Sequence, residues 1–197
     1  MNFKVKDFYF NKAKKENFVA RSVYKLEEID QRFKIINLGD SILDLGYHPG
    51  SWVQYCAQKA GPQGKIVGID VRDVNKKLLT LKNVTLLQKD IFEVESPLDL
   101  GLSGPVDVLL SDMAPNTMGI KSVDQDRSLN LVEAVFHFMP KVLRPGGNLV
   151  IKVFDSAQAQ KFLKEQKTLF VSYDFLKPKS TRTVSKEFFV IGKGFKA

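Results

Sequence analysis

Hydrophobic positions along this chain change period repeatedly. Val19, Val23, Leu26, Ile29 and Phe33 recur at helical spacing, which predicts a helix with Asn17 as its N-cap and leaves Lys25 off the apolar stripe. Short apolar runs then alternate with helical stretches. They are a strand SILDL over Ser41–Leu45, a helix from about Gly50 to Ala60, a strand KIVGID over Lys65–Asp70, a weak helix near Asn75 and a strand VTLLQ over Val84–Gln88. Beyond a segment rich in proline and glycine lies VDVLLS, Val106–Ser111. A helix over about Asp126–Val142 follows, with Leu129, Val132, Val135, Phe136, Met139 and Val142 as its apolar face. The turn signal Pro145-Gly146-Gly147 leads into the strand NLVIKVF, Asn148–Phe154, and a helix over about Ala157–Leu169 precedes strands LFVSYDF and EFFVIG. This alternation predicts an α/β fold, a mostly parallel twisted sheet with helices on both faces. Only Leu176–Lys186 separate the last two strands, too few residues for a crossover helix, so these strands should pair as an antiparallel hairpin.

Length and composition narrow the picture. With 197 residues, 44% of them hydrophobic, the chain suits one domain over 1–197 that opens with a basic arm and helix over about 1–35. Cys56 is the single cysteine, which excludes an internal disulfide framework and a thiolate zinc cluster, and His48 and His137 are too scattered for a metal site. No metal is expected, and a reducing cytoplasm fits best. The basic N-terminus lacks the apolar core of a secretory signal, and no stretch approaches the roughly 20 apolar residues of a membrane span. A soluble monomer without membrane contact is expected.

Charge is distributed unevenly. Residues 1–25 carry seven Lys/Arg against two Asp/Glu and residues 177–197 carry six against one, so each end is at +5. Those ends exceed the total of +8, which leaves the stretch between them at −2. Two basic termini on a slightly acidic body form a footprint for a polyanion if they meet in space. Charge alone does not separate RNA from DNA or anionic lipid.

Lys152 stands inside the strand NLVIKVF, where an unpaired ammonium would cost several kcal/mol. It needs either a carboxylate partner or a catalytic use. Asp112, which ends the run VDVLLSD, and Glu187, which opens EFFVIG, are the carboxylates on offer.

The loop Asp44-Leu-Gly-Tyr-His-Pro-Gly-Ser-Trp52 joins the first strand to its helix, where doubly wound sheets bind nucleotides. It is not a dinucleotide fingerprint, because Gly46 and Gly50 are separated by three residues that include a proline. Gly46 permits close approach to a ligand, and the helix start behind it can take a carboxylate. Asp70 ends the next strand, placed for the two hydroxyls of a ribose, and Asp90 follows the third, placed for an adenine amine. Glycine turn, ribose acid and base acid in this order describe S-adenosyl-L-methionine better than NAD.

Six segments make the chain recognisable: ARSVYKLEEID at Ala20–Asp30, DLGYHPGSW, GIDV at Gly68–Val71, SDMAPNTMG at Ser111–Gly119, LRPGGNLVIKVF at Leu143–Phe154 and KPKSTRTVSKEFFVIG at Lys177–Gly192. In order and spacing the chain resembles the FtsJ/RrmJ-like ribose 2′-O-methyltransferases over nearly its whole length. Within that family it is most similar to bacterial-type members that modify a uridine in the aminoacyl-tRNA-binding loop of large-subunit ribosomal RNA. The resemblance implies a Rossmann-like class I methyltransferase with S-adenosyl-L-methionine as cofactor and RNA, within the large ribosomal subunit, as partner. It implies a catalytic set of Lys25, Asp112, Lys152 and Glu187, and a cofactor set of Gly46, Pro49, Gly50, Trp52, Asp70, Asp90 and Asp112. The chain departs from the pattern at Tyr47, His48 and Ser51, where the family has small residues and a glycine.

On this reading Lys152 is the general base for a ribose 2′-hydroxyl, and Asp112 orients it near the sulfonium. Lys25 and Glu187 position the hydroxyl or its phosphate. Burial, Lys25 and the sulfonium favour the neutral amine that a base requires, so cofactor binding should help to deprotonate Lys152, while Asp112 and Glu187 favour the charged form. Apart from the resemblance, Lys25 reads as a solvated helix lysine, Glu187 as an ordinary strand-start carboxylate, and His48 and Trp52 as loop packing. Phe3, Phe8, Tyr9 and Phe10 interleave the basic arm and either stack on bases or pin the arm to the body. Neighbouring functions are the same reaction on tRNA or an mRNA cap, and a non-catalytic RNA-binding assembly factor.

Overall fold

Strand β1 (Ser41–Leu45) lies at the centre of a seven-stranded sheet, with Ile42, Leu43 and Leu45 apolar and fully buried. Parallel neighbours flank it: β2 (Lys65–Asp70) and then β3 (Val84–Gln88) on one side, β4 (Val106–Ser111) and then β5 (Leu143–Phe154) on the other. The computed structural model describes residues 3–182 and 185–197, with side chains from residue 8 onward in the first helix. The final strands are β6 (Phe170–Leu176) and β7 (Glu187–Phe195), and the order across the sheet is β3-β2-β1-β4-β5-β7-β6.

The expected antiparallel pairing of the last two strands is present, with Leu176 opposite Phe189. The last strand also inserts between β5 and β6, pairing antiparallel with β5 so that Lys152 lies opposite Phe189 and Phe154 opposite Glu187. Glu187 thereby reaches the rim that carries Lys152.

Two cores occupy the two faces. Helices α2 (Val23–Phe33) and α3 (Ser51–Ala60) bury Val23, Leu26, Ile29, Val53 and Cys56 against Ile42, Leu110 and Val150. Helices α4 (Lys121–Val142) and α5 (Ala157–Gln166) bury Val132, Val135, Met139 and Leu163 against Leu43, Leu109 and Ile151. Each such side chain contributes about 1.5–3 kcal/mol on burial, and the odd and even positions of each strand supply opposite faces.

Several boundaries differ from the sequence reading for local reasons. The basic arm is itself a helix, α1 (Phe3–Lys15), and Asn17 ends it in the left-handed region at φ 61 rather than capping the next. The Asn17 and Phe18 amides close onto the Lys14 and Ala13 carbonyls, and α2 begins only at Val23. Helix α4 starts at Lys121, not near Asp126, because Asp124 reaches back to accept from the Met118 and Gly119 amides. Its first turns carry almost no apolar residue, so periodicity is silent there. The weak helix near Asn75 is a single 3-10 turn, Lys76–Leu78, capped by the Asn75 side chain. Strand β5 begins at Leu143, since Pro145-Gly146-Gly147 forms a bulge within it between Leu143 opposite Val106 and Asn148 opposite Val108.

Candidate active site

Gly46 leaves β1 at φ 73, and a Cβ added there would overlap the Met113 side chain and come within 3.0 Å of the Met113 Cα. Glycine is therefore required both by the backbone and by the approach of the β4 loop. Tyr47 turns inward, buried, with its ring against Gly68, where a Cβ would sit 3.0 Å from Tyr47 Cγ. Its hydroxyl accepts from the Asn75 amide at 3.3 Å, and the Asn75 side chain donates to the Pro49 carbonyl at 2.7 Å. These contacts explain how a large residue fits this loop without closing the cleft beside it.

That cleft, of about 280 Å³, opens at the carboxyl ends of β1 to β4, and its walls include Gly46, His48, Asp70, Asp90, Asp112 and Met113. Asp70 is held by two backbone donors, the His48 amide at 3.0 Å and the Arg72 amide at 2.9 Å. Asp90 caps the turn Ile91–Glu93, accepting from the Phe92 amide at 3.1 Å. Both carboxylates keep lone pairs that face the cleft for hydroxyls or an amine. Pro49, Gly50 and Trp52 do not line it. Gly50, at φ 109, makes room for Leu78, while Trp52 is buried behind the loop and donates from Nε1 to the Ser22 carbonyl at 2.9 Å. His48, read as loop packing, instead edges the cleft with Nδ1 3.4 Å from the Arg72 guanidinium.

Asp44 was not singled out by sequence, yet it is the most constrained carboxyl group near the cleft. It is fully buried in β1, and neither oxygen has a hydrogen-bond partner among the described residues. Burial first, and then Asp112 and Asp70, push it well above the usual carboxylate range. Burial likewise pushes up the neighbouring Cys56 thiol, with Asp44 as the next contributor. The signal was available, because a charged residue inside SILDL is as anomalous as Lys152 inside NLVIKVF.

The four residues of the expected catalytic set divide into two ion pairs at one rim. Lys152, almost fully buried, donates to Asp112 Oδ1 at 2.9 Å and also to the Asp112 backbone carbonyl. Glu187 does not serve Lys152; it pairs with Lys25, which projects from α2 off the buried stripe. The inserted β7 explains this choice, because Glu187 stands opposite Phe154, at the end of β5, while Phe189 is opposite Lys152. The Lys25 ammonium also lies 5.7 Å from the centre of the Phe189 ring, which packs against Trp52 at 5.8 Å. Asp112 belongs both to the cofactor cleft and to the Lys152 pair, so it joins the two halves of the site.

A second cleft, of about 380 Å³, opens on the α2 side and includes Arg21, Lys25, Arg182 and Glu187 in its walls. The Arg21 guanidinium donates to the Ser180 carbonyl at 3.0 Å, and Glu28 accepts from the Lys179 amide at 2.8 Å. The basic ends therefore meet at α2. Arg21 and Arg182 escaped the sequence reading because nothing in their spacing connects them. Phe8, Tyr9 and Phe10 lie on α1, with Phe8 and Phe10 exposed and Tyr9 packed on Tyr24; the side chain of Phe3, and Thr183 and Val184, lie outside the described residues.

The cleft residues fit S-adenosyl-L-methionine. The strand-end acids Asp70 and Asp90 line the cleft as acceptors for hydroxyls or an amine, and Asp112 on the same lining suits a positively charged sulfonium. Among the described residues no group of His, Cys, Asp or Glu could hold a metal ion, and no helix is long and apolar enough to cross a membrane.

Comparison with known proteins shows the family of the chain. The model of FtsJ-like methyltransferases matches residues 18–195. A ribosomal RNA large subunit methyltransferase E of Oleidesulfovibrio alaskensis is 45% identical over 98% of this chain and 93% of its own length. A protein of the same name from Bdellovibrio bacteriovorus is 43% identical over 98% of each chain. The crystal structure of a Plasmodium falciparum protein described as a ribosomal RNA methyltransferase superposes with a TM-score of 0.79 at 28% identity, over 90% of this chain and 98% of that one. The chain belongs to the family of FtsJ-like methyltransferases and is an enzyme with S-adenosyl-L-methionine as its cofactor.

Proposed function

We propose that the enzyme is an RNA ribose 2′-O-methyltransferase that modifies a uridine in the aminoacyl-tRNA-binding loop of large-subunit ribosomal RNA. It works in the cytoplasm as a single-domain monomer on RNA presented by the ribosomal particle. The observation that carries this reading is the pairing of buried Lys152 with Asp112, which lines the cofactor cleft, with Lys25–Glu187 beside it. The names of the bacterial relatives support ribosomal RNA as the substrate class.

When bound, S-adenosyl-L-methionine supplies an electrophilic methyl group. Lys152 accepts the proton of the ribose 2′-hydroxyl as that oxygen becomes a nucleophile. Asp112 holds the amine in place through both its carboxylate and its carbonyl, so that the Lys152 side chain approaches the reaction already ordered. Lys25, fixed by Glu187, and the guanidinium groups of Arg21 and Arg182 face the same approach and hold the phosphates on either side of the ribose. Asp70 and Asp90 accept hydrogen bonds from the nucleoside part of the cofactor.

The test is transfer of labelled methyl to large ribosomal subunits, free ribosomal RNA and tRNA, followed by nucleoside mapping. One 2′-O-methyluridine in the large-subunit RNA is expected. Methylation of tRNA alone, or of a base rather than a ribose, would overturn the reading.

A further inference from the structure

Beyond the catalytic rim lies a third cleft, of about 240 Å³, to which the proposed reaction gives no role. Phe154, Lys121, Gln125, Asp155 and Lys186 line it. Phe154 is two residues beyond Lys152 on the same strand, hence on the same face of the sheet, and stands opposite Glu187 in register. An aromatic side chain at that place is only half buried, although it closes a strand whose preceding residues are almost completely buried. It therefore offers ring surface a few ångströms along the sheet from the reacting group.

The polar groups around Phe154 divide into occupied and free. The Asp124 carboxylate is taken by two backbone amides, and Asp155 Oδ1 accepts from Gln160 at 3.0 Å. The Gln125 side-chain amide donates to the Asp155 carbonyl, which leaves its own Oε1 as a free acceptor. Lys121 and Lys186 are exposed and form no ion pair with the described residues. The Asp155 amide bonds the Lys186 carbonyl at 3.1 Å, so one wall is built on the end of β5 and the segment leading into β7. A ring, one oriented amide acceptor and two unpaired ammonium groups match a base with its phosphate better than an apolar peptide or a lipid chain.

We propose that this cleft is a nucleobase pocket, in which an unpaired base next to the methylated ribose packs on Phe154, presents its edge to Gln125 and has its phosphate held by Lys121 and Lys186. The inference rests on the reading of the enzyme as an RNA ribose methyltransferase. It adds a point of contact beside the start of α4, adjoining the Arg21–Arg182 cleft through the shared lining residue Ser185, so the strand continues along the rim instead of ending at it.

Stacking and charge separate in the test. Phe154→Tyr, Phe154→Leu and Lys121→Ala/Lys186→Ala are assayed for methyl transfer to large ribosomal subunits, with RNA affinity measured across a salt series and cofactor affinity by calorimetry. Phe154→Leu should raise KM for RNA roughly tenfold, in the range of a lost base–aromatic stack, with an unchanged salt slope. Phe154→Tyr, which keeps the ring face, should leave KM for RNA near the wild-type value. The lysine pair should lower the log–log slope by about 0.7 per lost phosphate contact on single strands. Cofactor affinity should stay constant throughout. If wild type transfers methyl to RNA and Phe154→Leu shows the KM of Phe154→Tyr, the pocket is refuted while the reaction stands. If wild type transfers none to any RNA, the functional reading itself has failed.

Discussion

Replacing Lys152 by arginine separates two tasks that a lysine side chain can perform. A guanidinium can still pair with Asp112, but it keeps its proton at ordinary pH and cannot act as base. We expect Lys152→Ala and Lys152→Arg to lose methyl transfer by roughly 10²–10⁴-fold, the usual contribution of a general base, while calorimetry shows intact cofactor binding. Asp112 is 22% exposed, so water can solvate it once the lysine is gone and folding survives Lys152→Ala. Near-normal single-turnover rates with Lys152→Arg would reduce Lys152 to electrostatic support. Asp44 offers a test of different sign. Folded protein holds the Asp44 proton to higher pH than unfolded chain does, whose ordinary value is 3.8. The folded state therefore binds more protons above that value, and stability falls as pH rises toward the folded pKa. Asp44→Asn removes this slope, so its Tm relative to wild type should improve as pH is raised above the ordinary carboxylate range, measured without cofactor. Parallel Tm curves would mean that the carboxyl has an unseen partner.

Elements, rather than residues, decide whether those groups meet. Trp52 lies in the first turn of α3, yet its indole donates to the carbonyl of Ser22, just before α2, and the Ser22 and Ser51 hydroxyls lie 2.8 Å apart. The helix behind the cofactor loop is thus tied to the helix that carries Lys25. Trp52→Phe keeps most of the packing on Phe189 and removes one hydrogen bond, a loss of about 1 kcal/mol. We expect denaturation to show that loss, and transfer to fall more than cofactor affinity, because the cleft lining is untouched. Equal losses in both would place Trp52 in the cofactor site itself. Periodicity made most of these elements legible, since the buried strands are short apolar runs and α2 and the later turns of α4 have one-sided stripes. It was silent for α1, where aromatic and basic residues interleave, and for the first turns of α4, whose residues are mostly polar. Those turns are held by Asp124 reaching backward, a contact that no spacing rule announces.

At the scale of the whole molecule, charge and topology act together. The segment before β7 docks on α2 through Arg21, Ser180, Glu28 and Lys179, and α1 adds Lys12, Lys14 and Lys15 beside it. Deleting residues 1–15 should weaken RNA binding and flatten its log–log salt dependence; an unchanged slope would exclude α1 from the RNA surface. The strand-end acids and the glycine turn were readable from sequence because they follow one another at fixed places along an alternating chain. The pairing within the catalytic rim was not. Lys25 and Glu187 lie 162 positions apart, and the resemblance placed them in one set without showing that Glu187 would leave Lys152 to Asp112.

The insertion of β7 between β5 and β6 also has a consequence in time. Until that last strand is seated, β5 presents an open edge beside Lys152, and Lys25 has no carboxylate to fix it. Cofactor residues from Gly46 to Asp112 can assemble from the earlier, parallel part of the sheet. The strand that completes the rim must instead close a contact of high sequence separation, the slow kind in folding. During folding the enzyme should therefore gain its methyl-donor site before its substrate site, and the chain stays unreactive until β7 is seated between β5 and β6.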